Sequence, residues 1–262
     1  MADRVETVSP QESVEPVILK TEKLTRHYGG VRALTDVDFR VQPGTLHAVI
    51  GPNGAGKTTL FNVITGRVPP TRGRIWFRGQ EITGLSQPAV ARLGIARSYQ
   101  ITTLFFNLSV HENVRIAAQA RSSHANFWRA AESLREVSAR ADAVLELVGL
   151  QDQRHLRANQ LSHGEQRHLD IAVALATEPD LLLLDEPTAG MSPFETDLTI
   201  RLIRDLAKPA SAIVLVEHKM NVVMQISDRI TVLHFGAVLT EGTPAEVRAN
   251  PRVQDVYLEG SL

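Results

Sequence analysis

Hydrophobic positions in this chain follow two rhythms. Val17-Ile18-Leu19-Lys20 and Val37-Asp38-Phe39-Arg40-Val41 predict short strands, the second a period-2 pattern closed by Pro43-Gly44. With Arg74-Ile75-Trp76-Phe77-Arg78 they predict an antiparallel β layer near the N-terminus. Leu46 to Ile50 is an unbroken apolar run that ends on Gly51. Thr58 to Thr65 then predicts a helix stopped by Gly66 and Pro69-Pro70. Strand, glycine-rich turn and helix, in that order, open a βαβ unit.

From Val110 to Gly149 the rhythm becomes helical, with Ala141, Val144, Leu145 and Val148 at 3.6-residue spacing. Residues 121–140 are polar and basic around Phe127-Trp128, and the whole stretch reads as a helical insertion. Leu181–Leu184 and Ala212–Val216 are continuous apolar runs of the kind buried on both faces of a parallel sheet. Ile230–Phe235 and Ala237–Glu241 predict a hairpin about Gly236. Thr243-Pro244-Ala245-Glu246 is a capping box with proline at the first helical position, and Pro251 ends that helix. Met1 to Pro16 shows no period and reads as a frayed tail. The alternation of strands and helices makes this an α/β chain.

Composition narrows the classes of function. The chain has 262 residues, 43% of them hydrophobic and 22% charged, the balance of a globular protein. Lys and Arg number 28 against 29 acids, a formal charge of -1, which argues against a nucleic-acid partner. No apolar run approaches the ~20 residues of a membrane-spanning helix. The start is acidic and polar, unlike a signal peptide. Cysteine is absent, which removes disulfides, thiol nucleophiles and cysteine-ligated metals. A soluble cytosolic protein is the expectation.

Gly51-Pro52-Asn53-Gly54-Ala55-Gly56-Lys57-Thr58 matches G-x-x-x-x-G-K-[ST] at each fixed position, between a predicted strand and a predicted helix. Glycines let successive N–H groups turn toward phosphate oxygens, and the helix adds its positive end. Lys57 is a point charge for the β- and γ-phosphates, and the Thr58 hydroxyl is a ligand for Mg²⁺. Leu181–Leu184 leads into Asp185-Glu186, two carboxylates at a strand end. Asp185 is a candidate for Mg²⁺, and Glu186 a candidate for orienting and deprotonating the attacking water.

Other candidates are weaker on their own residues. His218 follows Ala212–Val216 and Glu217, and a lone histidine there fits a structural role as well as a γ-phosphate contact. Gln100 closes Ala96-Arg97-Ser98-Tyr99-Gln100 and offers an amide to Mg²⁺ or water. Ser162 and Glu165 form S-x-x-E before an apolar helix, which is a sufficient N-cap; with Gly164 the same helix start is also a candidate anion site. Tyr28 is a candidate for stacking on a base. Leu104–Phe106 fits core packing or an exposed docking surface. His163 and His168 flank Glu165 without the H-E-x-x-H spacing of a zinc site.

In this order the motifs resemble the ATP-binding cassette (ABC) family of ATPases. Tyr28 matches its adenine-stacking aromatic and Gly51–Thr58, with Thr59 following, its Walker A loop. Gln100 matches the Q-loop, Leu161–Glu165 the signature, and Leu181–Glu186 Walker B. Ala189–Ser192 matches the D-loop and His218 the H-loop. Two places depart: the signature carries His163 and Glu165 where Leu-Ser-Gly-Gly-Gln is usual, and the D-loop ends in Ser192 instead of Asp.

The resemblance implies a P-loop NTPase with a RecA-like core, an N-terminal antiparallel β layer and an inserted helical subdomain at about 101–164. It places a flexible tail at 1–16, the ATP-binding domain at 17–247 and a helical tail at 248–262. It further implies ATP and Mg²⁺ as ligands, and a second ABC ATPase subunit as partner in a homo- or heterodimer, whose Ser162–Gly164 equivalent faces the nucleotide. Integral membrane permease subunits, and indirectly a periplasmic or extracellular solute-binding protein, complete the set, at the cytoplasmic face of the membrane.

The insertion after Ala120, Ala189–Pro193, Phe61-Asn62 and the tail from Glu241 to Leu258 resemble the ATPase subunits of branched-chain amino-acid importers. ATPases of urea importers and of lipopolysaccharide export are the alternatives. Soluble ATPases of translation or repair form another class, disfavoured by a single cassette and the lack of a heptad region.

Overall fold

The computed structural model describes residues 16–98, 104–120, 130–207 and 209–259. Gln100, Phe127-Trp128 and all of the expected tail except Pro16 lie outside them. In chain order the elements are β1 (Leu19–Tyr28), β2 (Val31–Val41), β3 (Leu46–Ile50), α1 (Lys57–Ile64), β4 (Arg72–Phe77), β5 (Gln80–Glu81), α2 (Gln87–Arg92) and β6 (Ile95–Arg97). Next come α3 (Val110–Gln119), α4 (Ala130–Leu147), α5 (His163–Leu175), β7 (Leu181–Asp185), α6 (Pro193–Leu206) and β8 (Ala212–Val216). The chain continues with α7 (Met220–Ile226), β9 (Arg229–His234), β10 (Ala237–Gly242), α8 (Pro244–Ala249) and α9 (Pro251–Glu259).

Two sheets form. One is four-stranded and antiparallel, β2-β1-β4-β5; the other is six-stranded, β10-β9-β3-β8-β7-β6, and parallel except for the β9–β10 hairpin. Alternate residues of the parallel strands feed two cores. Ala48, Ile50, Leu182, Leu184, Ile213 and Leu215 pack with α3–α5 on one side. Val49, Leu181, Leu183, Val214 and Val216 pack with α1 and the antiparallel layer on the other. Both faces are covered, which is why these strands read as continuous apolar runs.

β1 runs to Tyr28, eight residues beyond the predicted end at Lys20. Register shifts between Thr21 and Leu24, and again between Leu24 and Arg26, break its alternation, so the pattern of buried Leu19, Thr21, Leu24 and Thr25 has no steady period. β6 and α2, three and six residues long, are too short to show a period and were not expected. Pro251 ends α8 as predicted and also begins α9.

Candidate nucleotide-hydrolysis site

Strands β9, β3, β8, β7 and β6 run parallel, so their carboxyl ends share one edge. At that edge β3 delivers Gly51–Thr58. Gly51 has φ +150°, and a Cβ there would lie 2.2 Å from the Leu233 carbonyl oxygen on β9. Gly56 has φ +105°, and its Cβ would lie 2.6 Å from the Ala33 carbonyl oxygen on β2. A side chain at either place would push the loop off the strands that shape it. The loop is also tied by Gly236 N–H, which donates to the Ala55 carbonyl at 3.0 Å.

The start of α1 differs chemically from those of α5, α6 and α8. Those three are closed by the capping boxes Ser162/Glu165, Ser192/Glu195 and Thr243/Glu246. The N-cap of α1 is Gly56, with no side-chain bond to the first turn and no acid within it. Its N–H groups and helix dipole are left for an anion. Lys57 is buried beside them and donates to the carbonyls of Gly51 (2.7 Å) and Pro52 (3.0 Å). Burial lowers its pKa below the usual lysine value, while the Glu186 and Asp185 carboxylates pull it partly back. That influence puts Lys57 in the field of both carboxylates. Pro52 is half-buried and Ala55 buried in the same loop. Asn53, Gly54 and Thr58 are exposed there, with Thr59 half-buried behind Thr58.

Asp185, the last residue of β7, is buried. Its Oδ2 accepts from Arg97 Nη2 at 2.6 Å, and Arg97 Nη1 donates to Asn62 Oδ1 at 2.7 Å. The same guanidinium lies 5.4 Å from the Phe61 ring centroid. Glu186 has φ +49°, a strained left-handed conformation for a residue with a side chain. Its N–H donates to the Val216 carbonyl at 2.9 Å, and its Oε1 lies 3.0 Å from His218 Nε2. A carboxylate held against an imidazole, on the edge that carries an anion loop, can take a proton from water and keep it oriented.

Tyr28 ends β1 with its ring partly exposed and the Arg26 guanidinium 4.5 Å from its centroid. Ser162 and Gly164 lie elsewhere in the chain, at the start of α5. Ser162 accepts from Glu165 N–H at 3.3 Å, and a Cβ on Gly164 would meet Glu195 Oε1 at 2.6 Å. His163 packs its ring against Gly190. Among the described residues no hydrogen bond joins Ser162 or Gly164 to the loop Gly51–Thr58. The structure therefore brings together the glycine loop, Asp185, Glu186 and His218 in one chain, and sets Ser162–Gly164 beside α6.

Comparison with known proteins decides what this edge belongs to. The family model described as ABC transporter matches residues 34–189. The chain belongs to the ABC transporter family. A second model, branched-chain amino acid ATP-binding cassette transporter, matches residues 237–258. The high-affinity branched-chain amino acid transport ATP-binding protein LivG of Escherichia coli is 39% identical over 250 residues, covering 92% of this chain and 97% of LivG. A crystal structure of the ADP conformation of an ABC-transporter cassette superposes with TM-score 0.82 at 28% identity, covering 92% of this chain and 98% of that one. A dimeric bacterial ABC-transporter cassette superposes with TM-score 0.76 at 26% identity, covering 86% and 98%.

The cassette is an ATPase, and three of its residues around the site had no local signal in the sequence. Arg97 reads as one more basic residue before Gln100, yet it is the buried partner of Asp185. Glu217 and Thr188 read as loop residues, yet both are buried and bonded to each other. Ser192, the departure in the D-loop, is the N-cap of α6, with Glu195 N–H donating to its Oγ at 3.3 Å. S-x-x-E at 192–195 was the available signal, the same one that marks Ser162 and Thr243.

Proposed function

We propose that this chain is the ATP-hydrolysing subunit of a membrane importer for branched-chain or chemically related amino acids. The 3.0 Å Glu186–His218 pair at the edge shared with the Gly51–Thr58 loop carries the hydrolytic part of the reading, and the branched-chain model matched at residues 237–258, with the likeness to LivG, supports the importer part. ATP phosphates sit on the free N–H groups of the loop and of the first turn of α1, as Lys57 exchanges the Gly51 and Pro52 carbonyls for β- and γ-phosphate oxygens. Adenine stacks on the Tyr28 face opposite Arg26. Thr58 Oγ1 and the Asp185 carboxylate are hard oxygen donors that suit Mg²⁺, with the Gln100 amide as a third. When bound, the ion supplies charge neutralisation at the β- and γ-phosphates. Glu186 accepts a proton from the water that attacks the γ-phosphorus, the bond to the β–γ bridging oxygen breaks, and ADP and phosphate result. His218 holds Glu186 and contacts the γ-phosphate. Positioning and charge supply most of the acceleration in such a transfer.

A second ABC ATPase subunit completes each site through Ser162–Gly164, a reading supported by the dimeric cassette to which this chain is similar. Permease subunits dock on an apolar patch that starts shortly after Gln100. Phe105, Phe106, Leu108 and Leu156 are all exposed there. The patch is held rigid: the Asn113 amide bonds both Phe105 N–H (2.8 Å) and Phe105 C=O (3.1 Å), and Ala158 N–H donates to Leu108 C=O at 3.0 Å. No helix of the described residues is long and apolar enough to cross a membrane. The cassette then works at the cytoplasmic face, peripheral to its permease, and receives the solute-binding protein's signal through it.

The test is reconstitution of the full chain with its permease subunits in liposomes. A binding protein loaded with leucine, isoleucine or valine is expected to raise ATP turnover and drive uptake of that amino acid. Turnover raised only by a solute of other chemistry, such as urea, would replace the substrate assignment.

A further inference from the structure

The loops after β7 and β8 are joined by a buried carboxylate that the reaction itself does not use. Glu217 is 3% exposed and Thr188 fully buried. Glu217 Oε1 accepts from Thr188 N–H at 3.0 Å and from Thr188 Oγ1 at 2.5 Å. Its other oxygen accepts from the N–H groups of His218 (2.9 Å) and Lys219 (3.3 Å). Lys219 Nζ reaches back across the same gap to the Thr188 carbonyl at 3.0 Å and to Thr196 Oγ1 at 3.4 Å. One oxygen of Glu217 thus grips the loop that carries Glu186, and the other grips the loop that carries His218. Together with the 3.0 Å contact between Glu186 and His218 the connection closes into a ring.

We propose that Glu217 is a positioning residue for hydrolysis, fixing the distance between Glu186 and His218 by bracing their two loops. The inference rests on the assignment of Glu186 and His218 as the hydrolytic pair. A displacement of about 1 Å at a reacting group is enough to lose about 10²-fold in rate, so a pair carried on two separate loops needs a tie of this kind. The carboxylate suits the place because it accepts four donors, two per oxygen. A glutamine has one carbonyl oxygen, and its NH₂ would face N–H or O–H donors on one of the two loops. Such a brace holds one side and releases the other. The phosphate-binding loop is not part of the ring, so nucleotide affinity should be spared.

The experiment measures steady-state ATP turnover, affinity for a fluorescent ATP analogue and thermal midpoint for the full chain and its variants. Glu217→Gln is expected to lower kcat about tenfold or more while KM and nucleotide affinity stay within about threefold. Because the brace acts through Glu186, Glu186→Gln/Glu217→Gln should be no slower than Glu186→Gln alone. Thr188→Val, which removes the hydroxyl donor and keeps the backbone N–H, loosens the ring from the other loop and should lower kcat by a smaller factor. Thr188→Ser, which keeps both donors, should restore turnover. These two variants decide the matter if Glu217→Gln does not fold. Wild-type kcat in Glu217→Gln or Thr188→Val, with Glu186→Gln inactive, overturns the brace and leaves the hydrolytic pair standing. A loss seen in nucleotide affinity and not in kcat also overturns it. Wild-type turnover in Glu186→Gln removes the pair, and the brace with it.

Discussion

Arg97 and Asp185 carry opposite charges into nearly complete burial, their side chains 3% and 4% exposed and 2.6 Å apart. A buried pair of this kind adds little net stability over an apolar pair, but removal of one member leaves a stranded charge worth about 3–5 kcal/mol. Arg97→Met is therefore expected to lower the unfolding free energy of the chain by about 3–5 kcal/mol in urea titration. A loss below about 1 kcal/mol would mean that Asp185 finds another partner or water. The pair also shows what a sequence hides. Gly51, Gly56, Lys57 and Thr58 are legible because their chemistry is set within a short local stretch, whereas Arg97 and Asp185 are 88 residues apart and meet only because β6 lies beside β7. Glu217 and Thr188, 29 residues apart, are hidden for the same reason.

Helix starts divide the elements into closed and open ones. At α5, α6 and α8 a Ser or Thr hydroxyl and a Glu three residues on satisfy the end groups; at α1 a bare glycine does not. S-x-x-E and T-x-x-E are local patterns, so the closed starts were readable. They also account for Ser192, a good N-cap in a place where the family usually has another good N-cap, Asp. Ser192→Ala should destabilise the chain by about 1 kcal/mol, and Ser192→Asp should be close to neutral, both by thermal unfolding. Loss of stability in Ser192→Asp equal to that in Ser192→Ala would contradict the capping role. At the same scale, Phe105→Asp with Phe106→Asp places charge on the exposed patch without touching the core. Co-purification with permease subunits should fail while ATP binding is kept, and retained co-purification would move the docking surface elsewhere.

The described residues pack as two cores sharing one sheet, and His47 sits inside it as the second residue of β3. Its Nε2 is 2.8 Å from Thr231 Oγ1 on β9, and its ring meets Phe39 edge-on. Burial, with a smaller contribution from the positive charge of Arg229, pushes its pKa down to about 3 from 6.5. Between those values the unfolded chain binds a proton that the folded chain refuses, so stability is full above about pH 6.5 and falls as pH drops toward 3. The slope from this one group is at most about 1.4 kcal/mol per pH unit. His47→Gln should flatten the acid limb of a stability-versus-pH curve, and an unchanged limb would assign acid sensitivity to other groups. The parallel strands themselves were legible at this scale because both faces are apolar. The three-residue β6 and the bulged β1 were not, one too short and the other too irregular for any period to show.

The glycine loop and Glu186 of one chain are proposed to work on a nucleotide that the Ser162–Gly164 helix start of a second ATPase subunit encloses. Light scattering on size-exclusion chromatography of Glu186→Gln, with and without Mg²⁺ and ATP, tests it most directly. A single-cassette mass is expected without nucleotide and a two-cassette mass with it, reversed by Ser162→Arg. An unchanged mass at ATP concentrations that saturate binding, for this chain alone and mixed with the partner ATPase subunit, would contradict it.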